Sequence, residues 1–260
     1  MTNELRHTPK LRLLSAFLAA AMALTMFPAA AFAEDATDYK LTVNGTNVTS
    51  ANATDILGDE YEGSVLTLNG KISVPQNKVG IMPLFAITIN GTGTLTGTEK
   101  TGRGILPQTG KATIASGANI TLENFEHGST AGGVDILGTL TIGDVNYGIS
   151  GEGATVESGG KLIIQNADNA VSGGGAKVYG TLEINGAAAA VNDGGVAVYE
   201  GGVVTITGAN NGLNGGSAVN GGSLSVSAGT CIGNGAVTFT SGTLKLDSTS
   251  GNPIKLGENN

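Results

Sequence analysis

Two tyrosines in the second half of the chain have a type and spacing that suit carbohydrate binding. Tyr179 and Tyr199 lie 20 residues apart, and each directly follows a valine of a recurring phrase. Two aromatic rings at that spacing could offer a flat apolar platform to a sugar ring, with Glu157 and Glu200 near its edges. A side-chain stack that only stabilises the fold is the alternative. The sequence favours the stack, and the absence of tryptophan also weakens the case for a strong lectin-like site.

Four carboxylates in one short stretch could bind calcium through oxygen ligands. They are Asp55, Asp59, Glu60 and Glu62. Their spacing matches no EF-hand loop, which requires glycine at its sixth position and glutamate at its twelfth. A solvated acidic loop is the alternative that the sequence favours, and calcium is the one cofactor that this pattern suggests.

The rest of the chain holds little material for hydrolytic or lyase chemistry. Enzymes that cleave acidic polysaccharides need clustered carboxylates and usually a basic group beside them. After residue 33 the chain has one arginine, Arg103, and one histidine, His127, and both are expected in loops. Four aspartates of the repeat stand at different offsets and are expected in solvated turns: Asp144, Asp168, Asp193 and Asp247. The pattern favours a protein without catalytic activity, and an enzyme is the competing hypothesis.

The segment 1–33 has the layout of a secretory signal. Basic residues precede an apolar run from Leu13 to Met26, and Ala31-Phe32-Ala33 closes the segment as a small-x-small cleavage signature. We expect export with cleavage before Glu34. A retained membrane anchor is the alternative, but the apolar run is short and Pro28 follows it. No later run of about 20 apolar residues occurs, so we expect no transmembrane span after cleavage and a secreted or cell-surface location.

The charge balance argues against a nucleic-acid-binding protein, and the cysteine content excludes a fold stabilised by an internal disulfide. Removing residues 1–33 takes away three basic residues and one acidic residue, which leaves 10 Lys and Arg against 20 Asp and Glu. Nucleic-acid binding requires a basic surface that neutralises phosphates, so no nucleic-acid partner is expected. Cys231 is the only cysteine, so an intramolecular disulfide is impossible and stability must come from packing or metal.

A repeat of about 20 to 22 residues organises the second half of the chain. A glycine followed by an apolar-x-apolar triplet opens each repeat, at Gly138, Gly160, Gly180, Gly202, Gly222 and Gly242. Alternate side chains of a strand lie on one face, so each triplet predicts a short strand with two inward residues. Ile120 and Leu122 fit one repeat earlier, and Ile87, Ile89 and Leu95 indicate less regular coils before that.

Two further strands complete each repeat. Apolar residues nine positions after the first anchor predict a second strand: Ile149, Val171, Val191 and Leu213. A turn of Ser, Asn and Gly follows, and triplets such as Ala154-Thr155-Val156 predict a third strand. Cys231 shares an offset with Tyr147 and is expected to be a small buried residue of the second strand. The predicted fold is all-β: a single-stranded right-handed parallel β-helix with three strands per coil.

The two ends depart from the repeat. Residues 34–83 do not follow it, and Leu41–Val43 and Val65–Leu68 alternate like strands, which predicts a small N-terminal β cap over the first coil. The β-helix is predicted over residues 84–260.

The chain runs past Leu246 through Pro253 without a helix or a polar capping coil, so we expect either a longer protein, which is favoured, or self-association at this end.

A resemblance lies in the predicted cap. The phrase Tyr39-Lys-Leu-Thr-Val-Asn-Gly-Thr-Asn-Val-Thr-Ser-Ala-Asn-Ala-Thr-Asp-Ile-Leu-Gly58, followed by Ser64-Val-Leu-Thr-Leu-Asn-Gly70, resembles the opening of large secreted bacterial surface proteins that contain a carbohydrate-binding domain. Those proteins are similar to pectin-lyase-type parallel β-helices. The resemblance implies an extracellular, surface-associated β-helix with glycan binding. It transfers no catalytic residue, because no catalytic motif of the lyases or hydrolases matches.

Three functional hypotheses follow. The leading one is a non-catalytic secreted or cell-surface module that is adhesin-like and contacts extracellular glycans or cell-wall polymers through repeated shallow contacts. The second is a polysaccharide lyase or glycoside hydrolase on a β-helix, which three or more carboxylates converging in one groove would favour. The third is a purely structural spacer. Outward threonines of the first strand, such as Thr139, Thr141 and Thr181, also predict a flat, hydroxyl-rich face that charged residues interrupt.

Overall fold

The structure, a computed structural model, describes residues 36–43, 46–57 and 65–250. The described chain from Asp38 onward belongs to one compact unit. It opens with two strands, β1 (Asp38–Val43) and β2 (Thr46–Thr49), and one turn of helix, α1 (Ala53–Leu57).

The rest of the described chain is built from strands. In chain order they are β3 (Val65–Val74), β4 (Val79–Pro83), β5 (Ile87–Gly97), β6 (Arg103–Ile105), β7 (Ala112–Ile114), β8 (Asn119–Glu123), β9 (His127–Ser129), β10 (Val134–Ile136), β11 (Thr139–Ile149), β12 (Ala154–Val156), β13 (Lys161–Val171), β14 (Ala176–Val178), β15 (Thr181–Asn185), β16 (Ala189–Val191), β17 (Val196–Tyr199), β18 (Val203–Leu213), β19 (Ser217–Ile232) and β20 (Val237–Ser248).

These strands wind into a parallel β-solenoid of about eight turns. The first ladder runs through β5, β8, β11, β13, β15, β18, β19 and β20. The second joins β4, β6, β9 and β16 with the ends of the long strands β11, β13, β18 and β19. The third joins β7, β10, β12, β14 and β17 with the starts of β19 and β20. Three strands per coil are therefore confirmed.

The coil length is regular only after the opening turns. Ile120 pairs with Leu140, Leu140 with Leu162, and Leu162 with Leu182, and these are the steps along the chain that the sequence predicted. Leu95 instead pairs with Leu122, which is a longer step than any in the regular repeat. The opening coils therefore contain extra turn residues.

An antiparallel hairpin covers the start of the solenoid. β1 pairs antiparallel with β2 and also with β4, where Leu41 faces Pro83. This hairpin is the small N-terminal β cap. The parallel ladder already begins at Val65, which pairs with Thr88, so β3 and β4 belong to the first coil of the solenoid. The solenoid thus starts earlier along the chain than the boundary at residue 84 that the repeat phrase indicated.

Two inward columns of the first ladder form the core. The two columns run from Ile120 and Leu122 to Leu224 and Val226, and every member is fully buried. A buried Leu, Ile or Val side chain contributes about 1.5 to 3 kcal/mol to stability. Because each coil contacts only its neighbours, these columns hold the stack together as a sum of nearest-neighbour contacts.

The second ladder carries a column of small residues against this core. Its members are Gly80, Gly104, Gly128, Gly148, Ala170, Ala190, Gly212 and Cys231. The isoleucines of the first ladder reach this column: a β-carbon on Gly128 would lie 2.5 Å from Cγ2 of Ile142. Small residues are therefore required here, and we call these residues the small column.

Cys231 is buried, as predicted, but in a different column from the predicted one. Thr230, not Cys231, pairs with Asn211 in the column of Tyr147, and Cys231 joins the small column. The register between β18 and β19 shifts between Thr207 and Ala209, which moves all later residues of β19 by one position. A fixed offset along the sequence cannot detect this bulge.

The corner between the first and second ladders depends on left-handed backbone conformations. Asn124, Asp144 and Asn166 have φ values of 61°, 53° and 54°, and glycines occupy the same corner in the next two coils. Asn and Asp tolerate this conformation better than other non-glycine residues do. The Asn166 amide also donates a hydrogen bond of 3.3 Å to the Asp144 carboxylate, which links two coils.

Candidate binding surfaces

The two tyrosines of the predicted sugar site meet. Val178 pairs with Val198, so the residues that follow, Tyr179 and Tyr199, take the same position in successive coils. Their ring centroids are 4.5 Å apart and their planes differ by 10°. This separation is close to the spacing of neighbouring strands in a sheet, so the register of the ladder alone brings the rings face to face. Such a stack contributes about 0.5 to 1.5 kcal/mol.

Stacking determines what surface this pair offers to a ligand. Each ring covers one face of the other, so the pair is the stack that the sequence favoured rather than one flat platform. Glu157 occupies the equivalent position one coil before Tyr179, since Val156 pairs with Val178. Glu200 follows Tyr199 directly and is exposed. A ligand would therefore meet ring edges, phenol hydroxyls and two flanking carboxylates.

The predicted calcium site lies mostly outside the described residues. Asp55 is exposed in the first turn of α1. Asp59, Glu60 and Glu62 lie outside the described residues, so calcium binding stays a prediction. In the ranges 36–43, 46–57 and 65–250, no group of three or more His, Cys, Asp or Glu side chains is arranged to hold a metal ion.

The aspartates of the coils occupy separate places on the solenoid. Asp144 lies at the corner after the first ladder, and Asp193 accepts a hydrogen bond of 3.4 Å from the Asn192 amide in the turn after the second ladder. Asp168 is exposed on β13, while Asp247 lies on β20 in register with Ser227. These four carboxylates therefore belong to different turns and ladders.

A second aromatic stack lies on the second ladder, at residues that the sequence had placed in loops. Arg103 opens β6 and His127 opens β9, and β11 contains Tyr147; the three residues pair in register across successive coils. The imidazole and phenol rings stack with centroids 4.7 Å apart and planes that differ by 13°. The loop expectation for Arg103 and His127 was wrong. The longer step from Arg103 to His127 hides the register of Arg103, whereas His127 precedes Tyr147 by the same step as Ile120 precedes Leu140, so this regular step could have indicated its pairing. We call these three residues the Arg103 column.

The His127 ring is held by partners from two coils. Its Nδ1 atom lies 3.0 Å from the Ser150 hydroxyl, and its Nε2 atom lies 3.9 Å from the Glu126 carboxylate. Burial lowers the pKa of His127 below its ordinary value; the Glu126 carboxylate acts against this, and the Arg103 guanidinium acts with it. The imidazole is therefore neutral over a wider range of pH in the folded protein than in the unfolded chain.

This pKa shift predicts a loss of stability in mild acid. The unfolded histidine titrates near 6.5 and the folded one lower, so below pH 6.5 the unfolded chain binds more protons than the folded protein. We expect the urea midpoint to fall as the pH drops through about 6.5 and to level off below the folded pKa. Urea titrations between about pH 8 and pH 5, followed by circular dichroism, measure this.

The His127→Gln variant is the control for this prediction. Its urea midpoint should change less over the same range, because the group that titrates there is gone. An equal slope in both proteins would show that another group causes the dependence.

The outer face of the first ladder carries two ranks of hydroxyl side chains. One rank has hydroxyls at five of its eight positions: Thr94, Thr121, Thr141, Ile163, Glu183, Thr205, Ser225 and Lys245. The rank beside it also has five of eight: Thr92, Asn119, Thr139, Lys161, Thr181, Val203, Ser223 and Thr243. An ion pair of 2.9 Å between Lys161 and Glu183 interrupts both ranks near the middle. We call this surface the hydroxyl face.

Comparisons with protein-family models, with curated proteins and with solved structures find no match to this chain. The resemblance of residues 39–70 to carbohydrate-binding surface proteins therefore stays a prediction. In the part of the chain that the structure describes, no helix has the length and apolarity that crossing a bilayer requires.

Proposed function

We propose that this chain is a non-catalytic, secreted or cell-surface β-solenoid module that contacts glycans or cell-wall polymers in the manner of an adhesin. The observation that carries the proposal is the hydroxyl face, where threonine and serine recur on neighbouring strands from β5 to β20. A hydroxyl both donates and accepts hydrogen bonds, so it complements the hydroxyls of a sugar.

The spacing of the face favours a linear polymer. Neighbouring strands lie about 4.7 to 4.9 Å apart, so hydroxyls in consecutive coils, such as those of Thr94, Thr121 and Thr141, recur at a constant interval along the solenoid axis. A polymer of repeating units laid along this axis would meet the same group in each of these coils. Each contact is weak, but linked contacts raise the overall affinity by effective concentration. Threonine is stiff at its first torsion, which limits the entropy lost on binding.

The tyrosine stack supplies a second contact surface in the proposal. Phenol edges and hydroxyls from Tyr179 and Tyr199 would contribute aromatic groups that the hydroxyl face lacks, and Glu157 and Glu200 beside them would add carboxylate acceptors. The two surfaces lie on different ladders, so they would contact different parts of a polymer or different chains.

The test is binding and turnover on a glycan array of neutral and acidic plant, bacterial and host polysaccharides, with and without calcium. We expect binding without release of reducing or unsaturated sugars. The double variant Thr121→Val and Thr141→Val removes two adjacent hydroxyls from the hydroxyl face while keeping the side-chain shape. It should weaken binding by about tenfold, the loss expected for two hydrogen bonds of modest strength.

The matched control is Thr113→Val with Thr155→Val on the outer face of the third ladder, which the proposal leaves out of the contact. This control should bind like the unchanged protein. Release of sugars would overturn the non-catalytic assignment. Binding to no glycan, or equal weakening by both double variants, would contradict glycan contact through the hydroxyl face, and absence of both binding and turnover would favour a spacer.

A further inference from the structure

The Arg103 column contains a cationic group for which the described residues provide no hydrogen-bond or ion-pair partner. The Arg103 side chain is half-buried, and over the described ranges its guanidinium makes no hydrogen bond or ion pair with protein. Arginine stays charged at any physiological pH and has five N–H donors in a fixed fork that matches an oxyanion with two acceptor atoms. A partly desolvated guanidinium with unused donors is the group that a carboxylate or a sulfate would satisfy.

The neighbouring coils hold two more polar groups beside this arginine. His127 and Tyr147 follow Arg103 in the same column, and the stacking of their rings at 4.7 Å restricts both side chains. The hydrogen bond between His127 and Ser150 restricts the imidazole further. Preorganised side chains lose little entropy on binding, so a ligand beside Arg103 would meet a prepared surface.

We propose that Arg103, His127 and Tyr147 form a binding site for a ligand that carries an oxyanion, either a carboxylate or a sulfate. The guanidinium binds the oxyanion through two parallel N–H···O hydrogen bonds. Tyr147 lies two coils from Arg103, beyond the His127 ring, so its phenol hydroxyl would donate to another polar group of a longer ligand. This inference concerns an anion and goes beyond the proposed function, which rests on the hydroxyl face.

The Glu126 carboxylate makes the affinity of the site depend on the charge of the ligand. It lies 3.9 Å from His127 Nε2 and is half-exposed, so it repels an incoming anion while it leaves neutral ligands unaffected. Replacing Glu126 with glutamine should therefore strengthen anion binding. Replacing Arg103 should weaken it. A surface that attracts ligands without recognising charge would show neither effect.

The experiment is a titration of the purified protein with three small probes at constant ionic strength, followed by NMR of the His127 and Tyr147 ring resonances. Sodium acetate and sodium sulfate distinguish the two kinds of oxyanion, and acetamide is the neutral control. We expect saturable shifts with acetate, with sulfate or with both, at dissociation constants of about 1 to 50 mM. Acetamide should cause no saturable shift.

Four variants show whether the site is the one proposed. Arg103→Gln should weaken binding by about tenfold or more, and Arg103→Lys should weaken it less, because lysine keeps the charge but loses the fork. Glu126→Gln should strengthen binding about two- to fivefold. Lys177→Gln removes a remote exposed charge on β14 and should leave binding unchanged. Circular dichroism of each variant checks that the solenoid is intact.

Three results would overturn the proposal. They are the absence of saturable shifts with both anions, equal shifts with acetamide, and unchanged anion binding in a folded Arg103→Gln variant. None of these outcomes bears on the hydroxyl face, because the threonine variants on the glycan array test that surface with neutral as well as acidic glycans.

Discussion

Replacing Ile164 with alanine is expected to lower the free energy of unfolding by about 3 to 4 kcal/mol. Ile164 is fully buried in the core column of the first ladder, between Ile142 and Ile184 of the neighbouring coils. The truncation removes buried methyl and methylene groups and leaves a cavity that close-packed neighbours fill only in part. Urea denaturation followed by far-ultraviolet circular dichroism measures the change.

The chain provides a matched control on the same strand. Ile163 precedes Ile164 on β13 but lies on the hydroxyl face, in register with Thr141 and Glu183. The same substitution at Ile163 should cost less than about 1 kcal/mol, because alternate residues of a strand lie on opposite faces and this one is only partly buried. Equal losses at the two positions would contradict the assignment of inward and outward faces.

A single methyl group at Gly148 is expected to cost about 2 to 3 kcal/mol. Gly148 belongs to the small column, and a β-carbon there would lie 2.5 Å from the Ala170 carbonyl oxygen and 2.9 Å from Cγ2 of Ile164. The first contact is with backbone of the next coil, which cannot move without disturbing the ladder. The Gly148→Ala variant should therefore have a lower urea midpoint than the unchanged protein.

Gly216→Ala is the control because it replaces a glycine by alanine at a position where the added β-carbon meets no close atom. It therefore separates the steric clash at Gly148 from the general effect of replacing a glycine. Gly216 is exposed, its φ is not in the left-handed region, and the nearest atom to an added β-carbon is 3.7 Å away. We expect a change within about 0.5 kcal/mol at this position. If Gly148→Ala were as mild as Gly216→Ala, the close approach of the second ladder to the core would be disproved.

These two predictions distinguish the inner residues, which stabilise the solenoid, from the outer residues, which are available for binding. The core columns and the small column restrict the inner side chains to a narrow range of sizes. Outer positions carry no such restriction, since Thr141, Ile163 and Glu183 follow one another in a single outer rank. Surface contacts can therefore vary from coil to coil while the core stays the same, and the proposed binding surfaces all lie outside.

The sequence by itself was sufficient for the architecture. An apolar-x-apolar triplet after glycine at a nearly constant interval can bury its side chains only if successive copies stack. The pairing of Leu140 with Leu162, and of Leu162 with Leu182, confirms this. The same interval was enough to predict that Tyr179 and Tyr199 meet. Their face-to-face geometry follows from strand spacing, which is the same in every sheet.

Only the tertiary structure decided where residues outside the regular repeat lie. The step from Arg103 to His127 is longer than the regular step from His127 to Tyr147, so no constant offset along the chain places Arg103 in this column. Cys231 moved by one position for a similar reason, a bulge between β18 and β19. Extra residues in a turn or a bulge change the offset along the chain without changing the ladder, so register in these coils depends on backbone pairing and core packing that no local pattern records.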